Sequence, residues 1–338
     1  MTDRYKHLVK RELDSYKDVR PELAIPRIFT YWASQYLAPR MRAIMGTHSP
    51  EEFFAIHLGE RLRRPNLPKA ILSLGCGDCV SEIEVCRFLV KMGLSGFRFD
   101  CLDLSPHVLE RAKQAVAAAG FEQFFELRAV DANAWKSEEG AYAGIMANHS
   151  LHHFVELEHI FASVRHGLCD EGVFVNSDMI GRNGHMRWPE AEKMVDMVWR
   201  FIPEHYKHNH LLKRDEKEFV NWDCADGSFE GVRAQDILPL LTESFHFEKF
   251  IAFGNLPDVF VDRTFGPNLS IDEPKDVAFI DFLEELNTTL VDAGQIKPTQ
   301  MFAVMGKHAH EETICDRGWT PQYCLRQPDP EPAATAEA

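Results

Sequence analysis

The sequence predicts a doubly wound α/β protein: a seven-stranded, mostly parallel sheet with a helical N-terminal segment and two lid insertions. Two observations carry this. Five short apolar runs, interleaved with three amphipathic helices, fall between residues 70 and 180 at the spacing that parallel crossovers need. After long interruptions, FHFEKFIAFG and TQMFAVMGK supply two further strands.

The elements follow in order. Residues 1–65 read as a helical cap, with Leu23, Ile25, Ile28, Tyr31, Trp32 and Tyr36 near helical spacing. Pro21, Pro26 and Pro39 are expected to break it into short pieces. AILSLGC is a buried strand, and SEIEVCRFLVKMG a helix with Ile83, Cys86, Leu89 and Val90 on one face. FRFDCLDL is the second strand. Ser105-Pro106 then caps HVLERAKQAVAAAG, which stops at Gly120. FFELRAV, AYAGIMA and EGVFVNSD are strands three to five, with the helix LEHIFASVRHGL between the last two. The domain is expected to span 66–310, with insertions at about 182–232 and 255–296. These are too long for plain connections and read as lids over the ligand edge of the sheet. Phe253, Phe260 and Phe265 read as core of the second insertion. Residues 325–338, rich in Pro, Ala and acids, read as a disordered tail.

Composition narrows the function. Hydrophobic residues are 45% and charged residues 26%, the balance of a globular protein, and no apolar run reaches membrane-helix length. The first segment, MTDRYKHLVKRELDSYKD, is charged throughout and does not read as a secretory signal, so the expected location is cytoplasmic. A net charge of −15 argues against nucleic acid as a partner. A small-molecule substrate is expected, with no membrane partner, and a homo-oligomer is compatible with the sequence. Eight cysteines without a secretory signal fit a reducing compartment. Cys76 and Cys79 form a C-x-x-C, but no second pair stands at zinc-finger distance.

The informative segment is Leu72-Ser73-Leu74-Gly75-Cys76-Gly77-Asp78-Cys79, between a strand and a helix. Glycines there let the backbone turn sharply and approach a ligand. Dinucleotides and S-adenosyl-L-methionine (SAM) both use such a loop. The dinucleotide fingerprint asks for a third glycine where this chain has Val80. Asp103 ends the second strand, where a carboxylate can accept both ribose hydroxyls of a nucleoside. Asp131, after the third strand, can accept from an adenine amino group, or it can form a turn with Asn133.

LSLGCGDC, LDLSPHVLERA, VDANAW and GIMANHSLHHF together resemble, in order and spacing, the motif series of class I SAM-dependent methyltransferases. The resemblance covers about residues 69–180, and the last two strands are similar to that fold's antiparallel pair. One departure is Cys79 at the usual third loop glycine. The resemblance implies SAM as cofactor and S-adenosyl-L-homocysteine (SAH) as product. It implies a site made from Ser73, Gly75, Cys76, Gly77, Asp103, Leu104, Asp131, Ala132, Asn148 and His149. Gly75 and Gly77 would cradle the amino-acid part, Asp103 the ribose and Asp131 the adenine.

The acceptor is expected beyond the carboxyl ends of strands four and five. His152 and His153 are candidate bases for a hydroxyl acceptor, each with a packing or capping alternative. Asp178 reads as base, substrate ligand or strand-end turn former. His153, Asp178, Arg182, His185 and Trp188 are candidate substrate contacts, with Trp188 equally fit for core packing. The run His205-Tyr206-Lys207-His208-Asn209-His210 lacks the helical i, i+4 spacing of a metal site, and no metal is assigned. O-methylation of a sugar or related hydroxyl is the leading expectation. S- or N-methylation of an amino-acid-like metabolite and a nicotinamide-dependent oxidation are the rivals. Tyr31, Trp32 and Tyr36 would either close over the cofactor or pack on the sheet.

Overall fold

The computed structural model describes residues 3–15, 24–309 and 312–326. Leu23, Pro21 and residues 327–338 of the tail expected over 325–338 lie outside the described residues; at its start Arg326 is ordered, ion-paired with Glu190. Among the described residues no helix is long and apolar enough to cross a membrane.

Among the described residues, four helices lead into the sheet: α1 (Asp3–Ser15), α2 (Arg27–Trp32), α3 (Ala38–Met45) and α4 (Pro50–Leu62). Pro39 does not break the chain between α2 and α3. Residues Ala33–Leu37 form a π turn, in which the Ala38 amide reaches back to the Ala33 carbonyl, and this widened turn carries the helix into Pro39. The sheet then builds through β1 (Ala70–Leu74), α5 (Val80–Lys91), β2 (Arg98–Asp103), α6 (Pro106–Ala119), β3 (Phe125–Ala129), β4 (Tyr142–Asn148), α7 (Leu157–Gly167) and β5 (Leu168–Met179). Ser105 caps α6 as its sequence implies, its Oγ accepting from the Val108 amide at 3.4 Å.

The first insertion holds α8 (Pro189–Phe201) and a short ribbon, β6 (His208–Asn209) with β7 (Arg214–Asp215). After it come α9 (Ala234–Ser244) and β8 (His246–Phe253), then α10 (Leu256–Val261) and α11 (Pro274–Asp292), and β9 (Gln300–Gly306). Beyond β9 lie β10 (Ile314–Cys315) and α12 (Pro321–Cys324).

The strand order is β10-β8-β9-β5-β4-β1-β2-β3. Strands β1 to β5 are parallel, and β9 runs antiparallel to both β5 and β8. The eighth strand, β10, was not foreseen. It is two residues long, too short for any periodicity, and pairs parallel to β8 at the edge. Its segment is held by an Arg40–Asp316 ion pair and by Trp319 Nε1 donating to Asp292 at 2.8 Å.

The chain leaves β1 toward β2 and β3 and returns through β4 on the other side. Strand order therefore reverses between β1 and β4, and a ligand crevice opens at their carboxyl ends. The aromatic residues of α2 and the π turn face away from it. Trp32 Nε1 donates to Glu284 at 2.8 Å, and the hydroxyls of Tyr31 and Tyr36 donate to Asp281 at 2.9 and 2.7 Å. They pin the N-terminal segment to α11 and do not close over the crevice. Phe253 stacks on Phe302 within the sheet layer, while Phe260 and Phe265 pack around Trp199 of α8. The two insertions thereby share one core.

Candidate active site

A cavity of about 230 Å³ lies at the reversal point. Its walls come from the loops after β1, β2, β3 and β4, with Tyr5 of α1 and Phe229 of the first insertion across from them.

Gly75 is required by sterics. Its φ is +67°, and a Cβ would stand 2.7 Å from Ser150 Cβ in the loop after β4. Gly77, at φ +54°, has open space where its Cβ would be, and its amide donates to Asp103 Oδ2 at 3.0 Å. The other Asp103 oxygen accepts from the Ser105 amide at 2.8 Å. Burial raises the Asp103 carboxyl above the usual range, while the Ser105 and Gly77 amides hold it back. Asp103 thus braces both the glycine loop and the start of α6, and each oxygen keeps acceptor capacity toward the cavity.

Asp131 is both a turn former and a cavity residue. Its Oδ1 accepts from the Asn133 amide at 2.9 Å, and its Oδ2 from the Tyr5 hydroxyl at 2.7 Å. Asn133 Oδ1 accepts from the amides of Val155 and Glu156, which ties this turn to the approach to α7.

Of the ten expected cofactor residues, Gly75, Gly77, Asp103, Leu104, Asp131, Ala132 and His149 line the cavity. Ser73, Cys76 and Asn148 do not. Ser73 is buried under the loop, its Oγ donating to Glu82 at 2.6 Å. Asn148 donates to Ser81 at 3.0 Å. Cys76 is buried, and its sulfur lies within 4.8 Å of those of Cys79 and Cys101. Cys79 holds φ +61°, which explains why a glycine would suit that position. Sequence reasoning missed Tyr5 and Phe229, neither of which belongs to a local motif, and Phe154, which ends the segment GIMANHSLHHF but received no role.

The acceptor side is dominated by histidine. His153 and His149 line the cavity, and His149 and His185 hold left-handed φ values of 49° and 57°. Asp178 is wholly buried and faces no cavity. Its Oδ2 accepts from the Ser150 and Leu151 amides at 3.0 and 2.8 Å, and its Oδ1 lies 2.6 Å from His152 Nδ1. It is therefore held against His152 behind the cavity wall and does not line the cavity. Burial would raise Asp178, but the adjacent His152 outweighs it and holds the carboxyl down at about 2. Burial would lower His152, and the carboxylates of Asp178 and Glu230 reverse this, lifting it to about 10. Burial and the neighbouring His152 charge push His153 down to about 4, which leaves it neutral near pH 7.

Glu230, in the first insertion, was not foreseen as part of the site, yet its Oε1 lies 2.6 Å from His185 Nε2. Trp188 has the guanidinium of Arg326 at 4.2 Å and that of Arg182 at 5.6 Å from its ring centroid. Much of its face is thus covered, and Arg182 also donates to the Arg187 carbonyl. The His205–His210 run does not converge: His208 meets Asp215 and His210 meets Asn268.

Residues 72–174 match the family model described as methyltransferase domain, from β1 through most of β5. Residues 72–174 carry a SAM-dependent methyltransferase domain. Its methyl donor is SAM and its product SAH, and a nicotinamide-dependent reading of the glycine turn falls away. Geranyl diphosphate C-methyltransferase from Streptomyces coelicolor A3(2), solved with Mg²⁺, geranyl-S-thiolodiphosphate and SAH, is similar at 13% identity and a TM-score of 0.48. That match covers 91% of this chain and 99% of the other. The O-methyltransferase from a trans-AT PKS multienzyme of Brevibacillus brevis, solved with SAH, is similar at 13% identity and a TM-score of 0.44, over 85% and 81% of the two chains. No curated protein matches the sequence.

Proposed function

We propose that this methyltransferase modifies a hydroxyl oxygen of a small polar acceptor, a sugar or a related metabolite. Gly75 and Gly77 cradle the amino-acid part of SAM, Asp103 receives the ribose hydroxyls and Asp131 serves the adenine end. SAM supplies an electrophilic methyl group. The acceptor oxygen forms the new C–O bond as the C–S bond breaks, and the hydroxyl proton must leave.

The observation that carries the hydroxyl reading is the imidazole of His153 in the cavity wall, in the turn whose Ser150 packs on Gly75. A proton acceptor at that wall serves a hydroxyl, whereas a thioether has no proton to give. Alignment supplies much of the remaining rate, since the displacement is in-line.

The test is a radiolabelled-methyl transfer assay against panels of sugars, thioethers and amines, with the product bond identified by mass spectrometry. Methyl ethers are expected. Turnover confined to thioethers or amines would overturn the hydroxyl assignment and leave the cofactor assignment standing.

A further inference from the structure

Three segments that are far apart in sequence bring their side chains to one point beside the cavity. His152 stands in the turn after β4, His185 in the turn after β5, and Glu230 at the end of the first insertion. His152 Nε2 and His185 Nε2 lie 3.4 and 2.6 Å from the same oxygen, Glu230 Oε1. His153 Nε2 lies 3.7 Å from the other oxygen. The nitrogens of His152 and His185 and the Glu230 oxygen all fall within 4.8 Å of one another.

Two observations separate this cluster from an ordinary ion pair. The first is the outer carboxylate. Asp178 meets His152 Nδ1 at 2.6 Å and is itself fixed by the amides of Ser150, Leu151 and Met179. His152 Nδ1–H donates to Asp178, and its Nε2 faces Glu230, where a bound ion would take the place of the Nε2 proton. Two lone pairs face each other at that distance only with a proton or a cation between them. A carboxylate–histidine pair of this kind is the usual support of a metal-bound imidazole. The second is the pattern of the remaining nitrogens. Nδ1 of His153 and Nδ1 of His185 are buried without a hydrogen-bond partner, so both rings make their polar contact through Nε2, toward Glu230.

We propose that His152, His185 and Glu230 form a binding site for a divalent first-row transition ion, with Asp178 orienting His152 from behind. Bonds of ~2.0–2.1 Å at a tetrahedral angle hold ligand atoms about 3.3–3.4 Å apart, which matches the His152–Glu230 spacing; His185 would move back by several tenths of an ångström. Two imidazoles and one carboxylate favour an ion such as Zn²⁺ or Fe²⁺ over Mg²⁺ or Ca²⁺, which prefer oxygen-only shells. Three protein ligands leave positions open, and His153 belongs both to this cluster and to the cavity wall. Only the use of the ion, holding an acceptor oxygen beside the cavity, rests on the hydroxyl reading above. The existence of the site does not.

The test uses the full chain, freed of metal by chelator and titrated with Co²⁺ under visible spectroscopy, with Zn²⁺ as competitor. The result expected is one Co²⁺ per chain, with d–d bands of a nitrogen and oxygen shell, displaced by Zn²⁺. His185→Ala should weaken uptake at least tenfold, and Asp178→Asn by about 10–100-fold. SAH binding by His185→Ala, whose residue does not line the cavity, reports that the variant is folded. If it is not, Glu230→Gln carries the comparison. No uptake, unchanged uptake in a folded variant, or a thiolate charge-transfer band from Cys76, Cys79 and Cys101 would each overturn the site. None of these readouts needs a methyl acceptor, so failure of the hydroxyl reading is seen separately.

Discussion

The hydroxyl of Tyr5 donates to Asp131 Oδ2 at 2.7 Å, joining the first helix to the turn after β3 across 126 residues of chain. The Tyr5 ring also lies 5.7 Å from Phe229, so two segments from outside the sheet meet over the Asp131 end of the cavity. If they cover the cofactor, the ring matters more than the hydroxyl. Tyr5→Phe should change SAH affinity by no more than about fivefold, the scale of one hydrogen bond. Tyr5→Ala should weaken it by about tenfold through lost apolar cover. Calorimetric titration separates the two, and equal affinities for both variants would remove α1 from the site.

Asp103 braces the loop and, in the proposed placement of the cofactor, receives the ribose. Asp103→Ala should weaken SAH binding by about 1–3 kcal/mol. It should also lower the melting temperature, because the amides of Gly77 and Ser105 lose their acceptor. Asp103→Asn keeps one acceptor oxygen and should fall between. Unchanged affinity in a folded Asp103→Ala protein would sink the ribose assignment.

The two loop glycines should respond differently to alanine. Both have positive φ, which costs alanine about 1–2 kcal/mol. Gly75→Ala adds a clash with Ser150, so its melting temperature should drop further. Gly77→Ala meets no protein atom, and its loss should appear in SAH affinity more than in stability. Thermal melts with and without SAH test this, and the reverse order would mean that the loop approaches the ligand at Gly75 instead.

What was legible in the sequence was local chemistry. Gly75, Gly77, Asp103 and Asp131 stand at the ends of short apolar strands, where strand alternation and turn composition place them without knowledge of the rest. Ser73 and Asn148 do not line the cavity, because a residue beside a site can point to another neighbour: Ser73 reaches Glu82, and Asn148 reaches Ser81. Tyr5 and Glu230 were invisible because only tertiary packing brings Tyr5 to the cavity and Glu230 to the histidines beside it. Pro39 was read as a break, since the π turn that accommodates it leaves no mark in hydrophobic periodicity.

Glu82 offers a pH test of the loop's support. It is buried beneath the glycine turn, and burial, with the nearby Cys79 adding to it, lifts its carboxyl from an ordinary 4.5 to about 8. The Ser73 hydroxyl opposes the rise without cancelling it. Because the folded value lies above the unfolded one, the native state holds the proton more tightly. The contribution is therefore full below about pH 4.5, declines as pH rises toward 8, and is gone above that. Glu82→Gln keeps an oxygen to accept from Ser73 and cannot ionise. Its melting temperature relative to the parent chain should climb steadily between pH 5 and pH 8, as the parent pays to bury a charge or to keep its proton. Thermal melts at pH 5, 6, 7 and 8 measure the difference. A difference that stays constant across that range would mean that Glu82 does not titrate there, and that the Ser73 contact holds an ordinary carboxylate.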